Sequence, residues 1–573
     1  MRELLEKGPK YRERRALDWG QVVKEVEDTL SKLVKEWSSK EGCVEEELRG
    51  WRERVMEEVK EKVERLKKEV PADPGNEVLT VGEVLRALEE LQASYVLTSG
   101  DKSEGNIIIV CMRHYVQRVR AEILGLGREE KTYEEQKESK EEIVERQVKE
   151  IEELGFVVEE KHRKIASLYY TAKMHKDPPA ERYIMAGSKC TMKVVSKFLS
   201  KCLKLVQAEV KLKCVREYRE VGSSKFRKFW VVDSTKEPLV GVARVNTRRS
   251  AKDVSSFDFS TLYTVLKHES LKQELKWVIE EAFEEAQVTR GVSKMAVYAK
   301  EAKWVKDERE GTRVVTKDEL VRLMEYCIDN ALVAYGERVF RQRIGLPMGT
   351  DCAPFMANLY LFALEYKWAT KMEGTEEGRK VLKGIGGFYR YIDDLLCLNA
   401  TEVMKRYKEE IYPGLVLKKE NEHDHTSHFL DFRVVINKGQ LRSSLYDKRD
   451  DFPFEVRSFP NLTGNVHIAR AHGVVIGQAA RFVRSCDHYT DFTERIKDLT
   501  ARLIAQSFSS ELLGKKLRVF YEENSGLLAK YSVSRDEFVQ GSFRGGLTKA
   551  AKKFVKRIKR KKKKKKTTEA ENV

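Results

Sequence analysis

The 573-residue chain lacks the patterns that mark secreted and membrane proteins. Its nine cysteines include no CxxC pair, and an odd count without paired spacing is typical of reduced thiols. Cys190, Cys202 and Cys214 match no zinc-site spacing, so we expect them to pack in the interior. The segment MRELLEKGPKYRERR has no apolar signal-peptide core, and no apolar run approaches a membrane span. We therefore expect an intracellular protein without membrane contact.

Positive charge is concentrated at the C-terminal end. Lys and Arg number 109 against 92 Asp and Glu, and residues 549–573 carry +11 of the net charge of +17. This excess favours a polyanionic partner, first of all nucleic acid. A basic tail also serves as an import signal or binds other acidic surfaces. We expect residues 541–573 to be disordered and to act in nucleic-acid affinity or nuclear targeting.

Apolar spacing predicts two amphipathic helices near the start of the chain, at 18–38 and 44–70. The sequence PADPG (71–75) ends the second helix, so residues 1–75 are expected to form an N-terminal helical region. The charged stretch 128–163 is predicted to be a helical connector with a solvated face. There is no internal repeat.

Two adjacent aspartates, Asp393 and Asp394, lie between apolar, β-prone runs in FYRYIDDLLCLN (388–399). One interpretation is a hairpin whose two-residue turn is Asp-Asp, because Asp tolerates left-handed backbone geometry. The other is a pair of carboxylates that hold divalent cations. The second interpretation needs a third carboxylate elsewhere in the chain.

Asp258 can supply that carboxylate. In VSSFDFSTLYTVL (254–266) it alternates with Phe257 and Phe259, so a strand would bury both rings and turn the aspartate to the other face. A helix follows, with apolar residues at helical spacing. An aspartate on the polar face of a strand is usually only solvated, so the candidacy of Asp258 depends on the order of the neighbouring motifs.

A loop containing glycine and proline runs into a helix in GLPMGTDCAPFMANLYLFALEYKWA (345–369). Pro354 fits the first helical turn, and Thr350 or Asp351 is a candidate cap. The two glycines would let the backbone approach a flat partner such as a base pair. An ordinary loop before a core helix is the competing interpretation.

The order strand, helix, loop with helix, and hairpin suits an antiparallel sheet with helices on one face, a split βαβ layout of the α+β class. In that layout Asp258 and the Asp393-Asp394 turn meet at the sheet edge. Three clustered carboxylates are costly unless neutralised, and two Mg²⁺ ions would neutralise them.

The three motifs resemble motifs A, B and C of reverse transcriptases, in that order. Beyond them the chain resembles the Penelope-like branch over roughly residues 90–530. The similarity is carried by SGDKSEGNIIIV (99–110), YYTAKMHK (169–176), ERYIMAGSKC (181–190), FLDFRVVI (429–436) and SSLYDKRDDFPFEV (443–456). The chain has DKS at 101–103 where that branch usually has DKG, and it shows no GIY-YIG endonuclease pattern.

The resemblance implies a right-hand polymerase in which the N-terminal helical region precedes a split βαβ palm, fingers and a helical thumb. The implied ranges are fingers at 76–250, palm at 251–440 and thumb at 441–540. Asp258, Asp393 and Asp394 would be the catalytic ligands of two Mg²⁺ or Mn²⁺ ions.

The resemblance also implies nucleotide and nucleic-acid contacts. Arg182 is the preferred residue for binding the triphosphate, and Lys419, with Lys418 as the alternative, would protonate the leaving pyrophosphate. Tyr263 would be the steric gate that excludes a 2′-hydroxyl. The implied nucleotide-binding residues are Lys102, Lys173, Arg182, Tyr263, Gly349 and Lys419. Template–primer contacts are implied for Tyr446, Lys448, Arg449, Arg470, Arg481 and Arg484.

The implied function is that of an RNA-directed DNA polymerase of retroelement type, which extends a DNA or RNA primer on an RNA template with dNTPs. The alternatives are a nucleic-acid-binding protein without turnover, and a cellular polymerase that uses NTPs or no template. His423, His425 and His428 lie close together but lack a second ligand pair, so we do not expect a zinc site there.

Overall fold

The computed structural model describes residues 7–12, 18–38, 45–69, 81–126, 130–219, 226–306 and 312–543. The PADPG boundary, the lysine run at 561–566 and nearly all of the basic tail lie outside the described residues. The helices are α1 (Trp19–Ser38), α2 (Glu45–Glu69), α3 (Val81–Ser94), α4 (Met112–Leu124), α5 (Lys140–Glu153), α6 (Lys193–Arg219), α7 (Lys236–Thr247), α8 (Leu262–Val265), α9 (His268–Arg290), α10 (Lys317–Asp329), α11 (Ala353–Glu373), α12 (Glu376–Leu382), α13 (Thr401–Ile411), α14 (Ile468–His472), α15 (Val474–Ser485), α16 (Tyr489–Ile504), α17 (Ser510–Glu523), α18 (Ser525–Leu528) and α19 (Arg535–Gly541).

The strands belong to four sheets, so the fold mixes helices and sheets, as the α+β prediction requires. They are β1 (Tyr95–Gly100), β2 (Ser103–Cys111), β3 (Tyr133–Glu135), β4 (Ala166–Lys173), β5 (Ala180–Met185), β6 (Val254–Phe259), β7 (Lys294–Val297), β8 (Ala302–Val305), β9 (Arg313–Val315), β10 (Leu332–Tyr335), β11 (Arg338–Gln342), β12 (Phe388–Tyr391), β13 (Asp394–Leu398), β14 (Leu417–Lys419), β15 (Thr426–Phe429), β16 (Phe432–Asn437) and β17 (Gln440–Leu445).

The first two helices match the prediction for the N-terminal region. α1 and α2 pack against each other, with the rings of Trp37 and Trp51 5.5 Å apart and Leu30, Met56 and Val63 buried. The expected apolar stripes therefore serve helix-on-helix packing.

A four-stranded antiparallel sheet in the order β12-β13-β6-β14 lies at the centre of the largest core. On its back face the buried side chains of Phe257, Phe388 and Leu395 pack with residues of α6, α9, α10 and α11. The front face packs at one end against α7 and the sheet β15-β16-β17, through residues such as Leu396 and Phe432. Its other end carries the β12–β13 turn.

The remaining elements flank this sheet. The order β2-β1-β4-β10-β11-β3, with β5 on β4, forms a seven-stranded sheet, and β8-β7-β9 forms a small one. Helices α15, α16, α17 and α19 contribute to a separate apolar core near the C-terminal end of the described chain. Among the described residues, no helix is both long enough and apolar enough to span a bilayer.

The prediction of a helical connector at 128–163 is correct only for Lys140–Glu153, which form α5. The structure has β3, α5 and a 3-10 turn at Glu160–His162, where a continuous helix was expected. Ser139 starts α5 with a capping box, and Gly155 follows its end with φ at 78°. These local start and stop signals interrupt the charged stretch.

A buried ion pair joins the sheet to α11. Arg390 of β12 and Glu365 of α11 are both fully buried, and the guanidinium donates to both carboxylate oxygens. The hydroxyl of Tyr412 donates to the same carboxylate at 2.8 Å. Burial raises the pKa of Glu365, and Arg390 opposes that rise. Charge without a partner would be costly here, so each group depends on the others.

We expect Arg390→Met to destabilise the fold strongly. The substitution leaves the Glu365 carboxylate buried without its cation, and breaking a buried pair in this way costs about 3–5 kcal/mol. Urea unfolding followed by circular dichroism measures the loss. Lys380→Met, which removes the exposed Glu376–Lys380 pair on α12, is the control and should leave the transition unchanged. Equal transitions for the two variants would contradict a structural role for Arg390.

Candidate catalytic site

The carboxylates come together through strand register. β13 pairs antiparallel with β6 so that Asp394 lies directly opposite Asp258. Phe257 and Phe259, which flank Asp258, are 2% and 4% exposed. Burying these rings turns the intervening carboxylate to the front face, as the alternation predicted. The expected meeting of Asp258 with the Asp393-Asp394 segment is therefore present in the fold.

The turn itself lies one residue earlier than predicted. Tyr391 pairs with Asp394, so the two turn residues are Ile392 and Asp393, and Asp394 is the first residue of β13. Ile392 takes the left-handed conformation, with φ at 53°. A β-branched residue there is strained, and Arg390 Nη1 donates to the Ile392 carbonyl at 3.2 Å, which helps to hold it.

The carboxylates repel one another in a partly buried setting. Burial first, and then the charge of Asp393, raises the pKa of Asp258 to about 6 and that of Asp394 to about 7. Glu420 adds to both shifts, whereas Lys448 lowers both. The sequence analysis did not identify Glu420. This residue lies two positions after Lys418, so the alternation of a strand places it on the same face as Lys418 and Asp258.

The residues fit divalent cations by their chemistry. Carboxylate oxygens are the ligands that Mg²⁺ and Mn²⁺ prefer, and the raised pKa values show that added positive charge would relieve repulsion. Within the described part of the chain, no three His, Cys, Asp or Glu side chains are already gathered into a metal-binding group. Two observations therefore support a cation at this site: the register that places Asp394 opposite Asp258, and the repulsion of both by Asp393.

Basic residues from the seven-stranded sheet approach the same space. Arg182 forms a 3.1 Å ion pair with the buried Asp101. Lys102, in the β1–β2 turn with φ at 58°, has its pKa lowered by burial and by Lys448. The pKa of Lys173 is lowered by burial and by Arg182, with an opposing contribution from Asp258. The candidate phosphate-binding side chains therefore lie within electrostatic reach of the aspartates.

Tyr263 lies in α8, between these two groups. Its side chain is partly buried against the main core. Its pKa is raised by burial and by Asp393 and is lowered by Arg182. Tyr391 is a further electrostatic neighbour. This position is compatible with either interpretation of Tyr263, as a core aromatic or as a ring beside a bound sugar.

The two glycines of the 345–349 loop, Gly345 and Gly349, lie against the protein's own backbone. Both have positive φ, and a Cβ would lie 2.3 Å from the Tyr263 carbonyl oxygen at Gly345 and 2.1 Å from the Met185 oxygen at Gly349. They therefore allow close approach to the protein's own backbone, and Gly349 packs on β5. The expected cap at Thr350 or Asp351 is wrong, because Cys352 is the N-cap and makes no side-chain cap bond.

The register separates the two candidate proton donors. Lys418 pairs with Asp258 across β14 and β6, and Lys419 pairs with Phe257. Directly opposite residues share a face, so Lys418 lies on the carboxylate face and Lys419 on the back face. Lys419 is also ion-paired with Asp424 at 2.5 Å. The geometry therefore favours Lys418, the alternative, over Lys419.

The residues expected to contact template and primer differ in their availability. Arg449 is ion-paired with Asp447, and Arg481 with Asp431, so both guanidinium groups are engaged within the protein. Arg470 and Arg484 are exposed. The Tyr446 hydroxyl donates to Asp451. Lys448 differs from all of these because its charge acts on Asp258 and Asp394.

The histidine stretch joins the edge of this region. His428 lies 3.7 Å from a Glu420 oxygen, and its ring centroid is 4.3 Å from that of Tyr446. Burial lowers its pKa, which favours the neutral ring. Neither His423 nor His425 shares these contacts in the described structure.

Several solved structures show a distant likeness to the chain. Telomerase from Candida albicans, in complex with a TWJ fragment of telomeric RNA, is 10% identical, with 79% of this chain and 67% of that chain covered and a TM-score of 0.44. Apo telomerase from Candida tropicalis is 12% identical, with 96% and 86% covered and a TM-score of 0.38. The Sicinivirus RNA-dependent RNA polymerase is 8% identical, with 53% and 57% covered and a TM-score of 0.30. At TM-scores this low the likeness does not establish a shared fold. No protein-family profile and no curated protein matches the chain.

Gly349→Ala should destabilise the protein more than Gly336→Ala. Gly336 has the left-handed φ of 60°, which costs an alanine about 1–2 kcal/mol, whereas the φ of 116° at Gly349 lies outside that region and costs more, and only Gly349 would also place a methyl group against Met185. Overpacking of this kind adds about 1–3 kcal/mol. At Gly336 a Cβ meets nothing within 4 Å, so that variant measures the backbone strain alone. The comparison uses urea unfolding midpoints, and equal losses would show that the loop does not pack tightly on β5.

Proposed function

We propose that the chain is a template-directed nucleotide polymerase, and more specifically an RNA-directed DNA polymerase of retroelement type in the Penelope-like branch. The observation that carries the proposal is the β6–β13 register, which places Asp258 opposite Asp394 with Asp393 in the adjoining turn. The motif order in the sequence supports the finer assignment. In this proposal residues 76–250, 251–440 and 441–540 act as fingers, palm and thumb, and the protein works in the nucleus.

Asp258, Asp393 and Asp394 would hold two Mg²⁺ or Mn²⁺ ions. When bound, the ions supply activation of the primer 3′-hydroxyl and charge neutralisation at the leaving oxygen. Arg182 and Lys173 bind the triphosphate, and Asp101 holds Arg182 by one nitrogen while its other donors stay available. The primer 3′-oxygen bonds to the α-phosphorus as the bond to pyrophosphate breaks, and the proton of the hydroxyl passes to solvent water.

Lys418 is the proposed donor of the proton that pyrophosphate takes up. It lies on the carboxylate face opposite Asp258, so its Nζ can reach the side of the sheet where the nucleotide binds. Lys448 and Lys102 add positive charge to the same region, which favours an anionic substrate. The partners are an RNA template, a DNA or RNA primer and dNTPs.

The alternatives are distinguished by a primer-extension assay with RNA and DNA templates, each with dNTPs or NTPs. Extension on RNA with dNTPs supports the proposal, and extension that prefers NTPs or needs no template supports a cellular polymerase of another kind. Template binding without extension under any condition supports a nucleic-acid-binding protein. The retained aspartate trio favours turnover, because binding alone does not require it.

Asp393→Asn should reduce nucleotide addition by about a hundredfold or more, because a metal ligand contributes several kcal/mol to the barrier. Asn is tolerated in turns, so the fold and template binding should persist. Steady-state extension rates and a thermal melt measure the two effects. Asp318→Asn, which removes an exposed carboxylate on α10, is the matched control and should retain full activity. A rate above about a tenth of wild type for Asp393→Asn would end the two-metal assignment.

Tyr263→Ala should raise ribonucleotide incorporation relative to deoxynucleotide incorporation. In the proposed role the ring fills the space that a 2′-hydroxyl needs, so removing it relaxes selection between sugars. The measurement is kcat/KM for both substrates opposite the same template base. Tyr263→Phe keeps the ring and serves as the control, with an unchanged ratio. An unchanged ratio in the alanine variant would leave Tyr263 as a core aromatic only.

A further inference from the structure

A large groove lies at the β12 edge of the four-stranded sheet. One wall is the C-terminal part of α6, the other is α7, and the floor includes Tyr389 of β12 and the turn at 382–387. Its volume is about 1080 Å³. Small-molecule pockets span roughly 300–1,000 Å³, so the groove has room for more than one small molecule.

The groove is strongly basic, and much of that charge is uncompensated. Lys236, Arg244, Arg248 and Lys383 line it and form no ion pair with any described residue. The other lysines are neutralised, since Lys211 pairs with Glu237 and Lys228 with Glu373. Glu237 is the one acidic residue among the described lining residues. This lining suits an anionic ligand.

The cations follow the helix. Lys236, Arg244 and Arg248 line the groove along α7 and its C-terminal cap, at steps of about 12 and 6 Å along the axis, and Val240 lies between the first two. A row of positive charges along one helix suits a polymer with a repeated negative charge better than a single small anion. Two of the cations are arginines, whose planar guanidinium groups bind phosphate bidentately.

Exposed apolar surface lies between these cations. Tyr218 is 55% exposed and Val240 is 57% exposed, on opposite walls. In the floor, the Arg227 guanidinium lies 4.5 Å from the centroid of the Tyr389 ring. An exposed aromatic ring beside a basic track is the arrangement by which proteins stack unpaired bases. A duplex hides its base faces, and an acidic peptide has no planar rings at regular spacing.

We propose that this groove binds single-stranded nucleic acid, as a site separate from the carboxylate site. Arg244 and Arg248 bind phosphates, and Tyr218 stacks on a base. The inference does not depend on the polymerase proposal, because binding is measured without nucleotides or divalent cations.

The test compares two double variants of the full chain. Arg244→Gln/Arg248→Gln should weaken binding of a labelled 20-nucleotide U or dT oligomer about tenfold in fluorescence anisotropy. It should also reduce the salt slope of log K by about 1.4, since each phosphate contact on a single strand contributes about 0.7. Lys276→Gln/Arg322→Gln changes the charge equally at exposed positions of α9 and α10, and it should bind within twofold of wild type.

Two further measurements locate the oligomer. An oligomer that carries 5-iodouridine should crosslink under ultraviolet light to the peptide that contains Tyr218, and Tyr218→Ala should lose affinity that Tyr218→Phe retains. Equal binding by the two double variants, or crosslinks confined to other peptides, would overturn the site. Binding of poly-glutamate that excludes the oligomer from the groove would overturn the choice of nucleic acid as the occupant.

Discussion

The buried contact between Arg390 and Glu365 is the constraint on which the candidate site depends. One guanidinium ties β12 to α11 through Glu365 and Asn358, and the same group donates to the carbonyl of Ile392 in the strained turn. Position and strain of the turn are therefore set from the back face, inside the core. The front face, where Asp393 and Asp394 lie, is left free for charge that the fold itself does not neutralise.

That separation explains the electrostatics of the front face. Burial and the charges of Asp393 and Glu420 raise the pKa values of Asp258 and Asp394, whereas Lys448 lowers both and Lys102 lowers that of Asp258. A stable core would place such charges apart. Their accumulation in one partly buried region is costly, and the cations proposed to bind there would relieve it.

Patterns of neighbouring residues in the sequence predicted the features that depend on a single strand or helix. Alternation of Phe257, Asp258 and Phe259 decided which face the carboxylate takes, and the helices α1, α2 and α9 followed from apolar spacing. The turn lies one residue earlier than the Asp-Asp pair, at Ile392 and Asp393, where the buried Arg390 donates to the Ile392 carbonyl. The choice between Lys418 and Lys419 depends on how β14 pairs with β6. The requirement for glycine at position 349 depends on its contact with Met185. No local rule reports such long-range contacts, so sequence alone could not resolve them.

Strand β12 links the basic groove to the carboxylate turn. Tyr389 forms part of the groove floor, Arg390 enters the core from the opposite face, and Tyr391 pairs with Asp394. Successive residues of one short strand thus serve the groove, the buried ion pair and the carboxylate turn. The ion pair ties the strand to α11 between the other two. Coupling between groove and turn through movement of the strand would therefore have to disturb a fully buried pair of charges, which is costly.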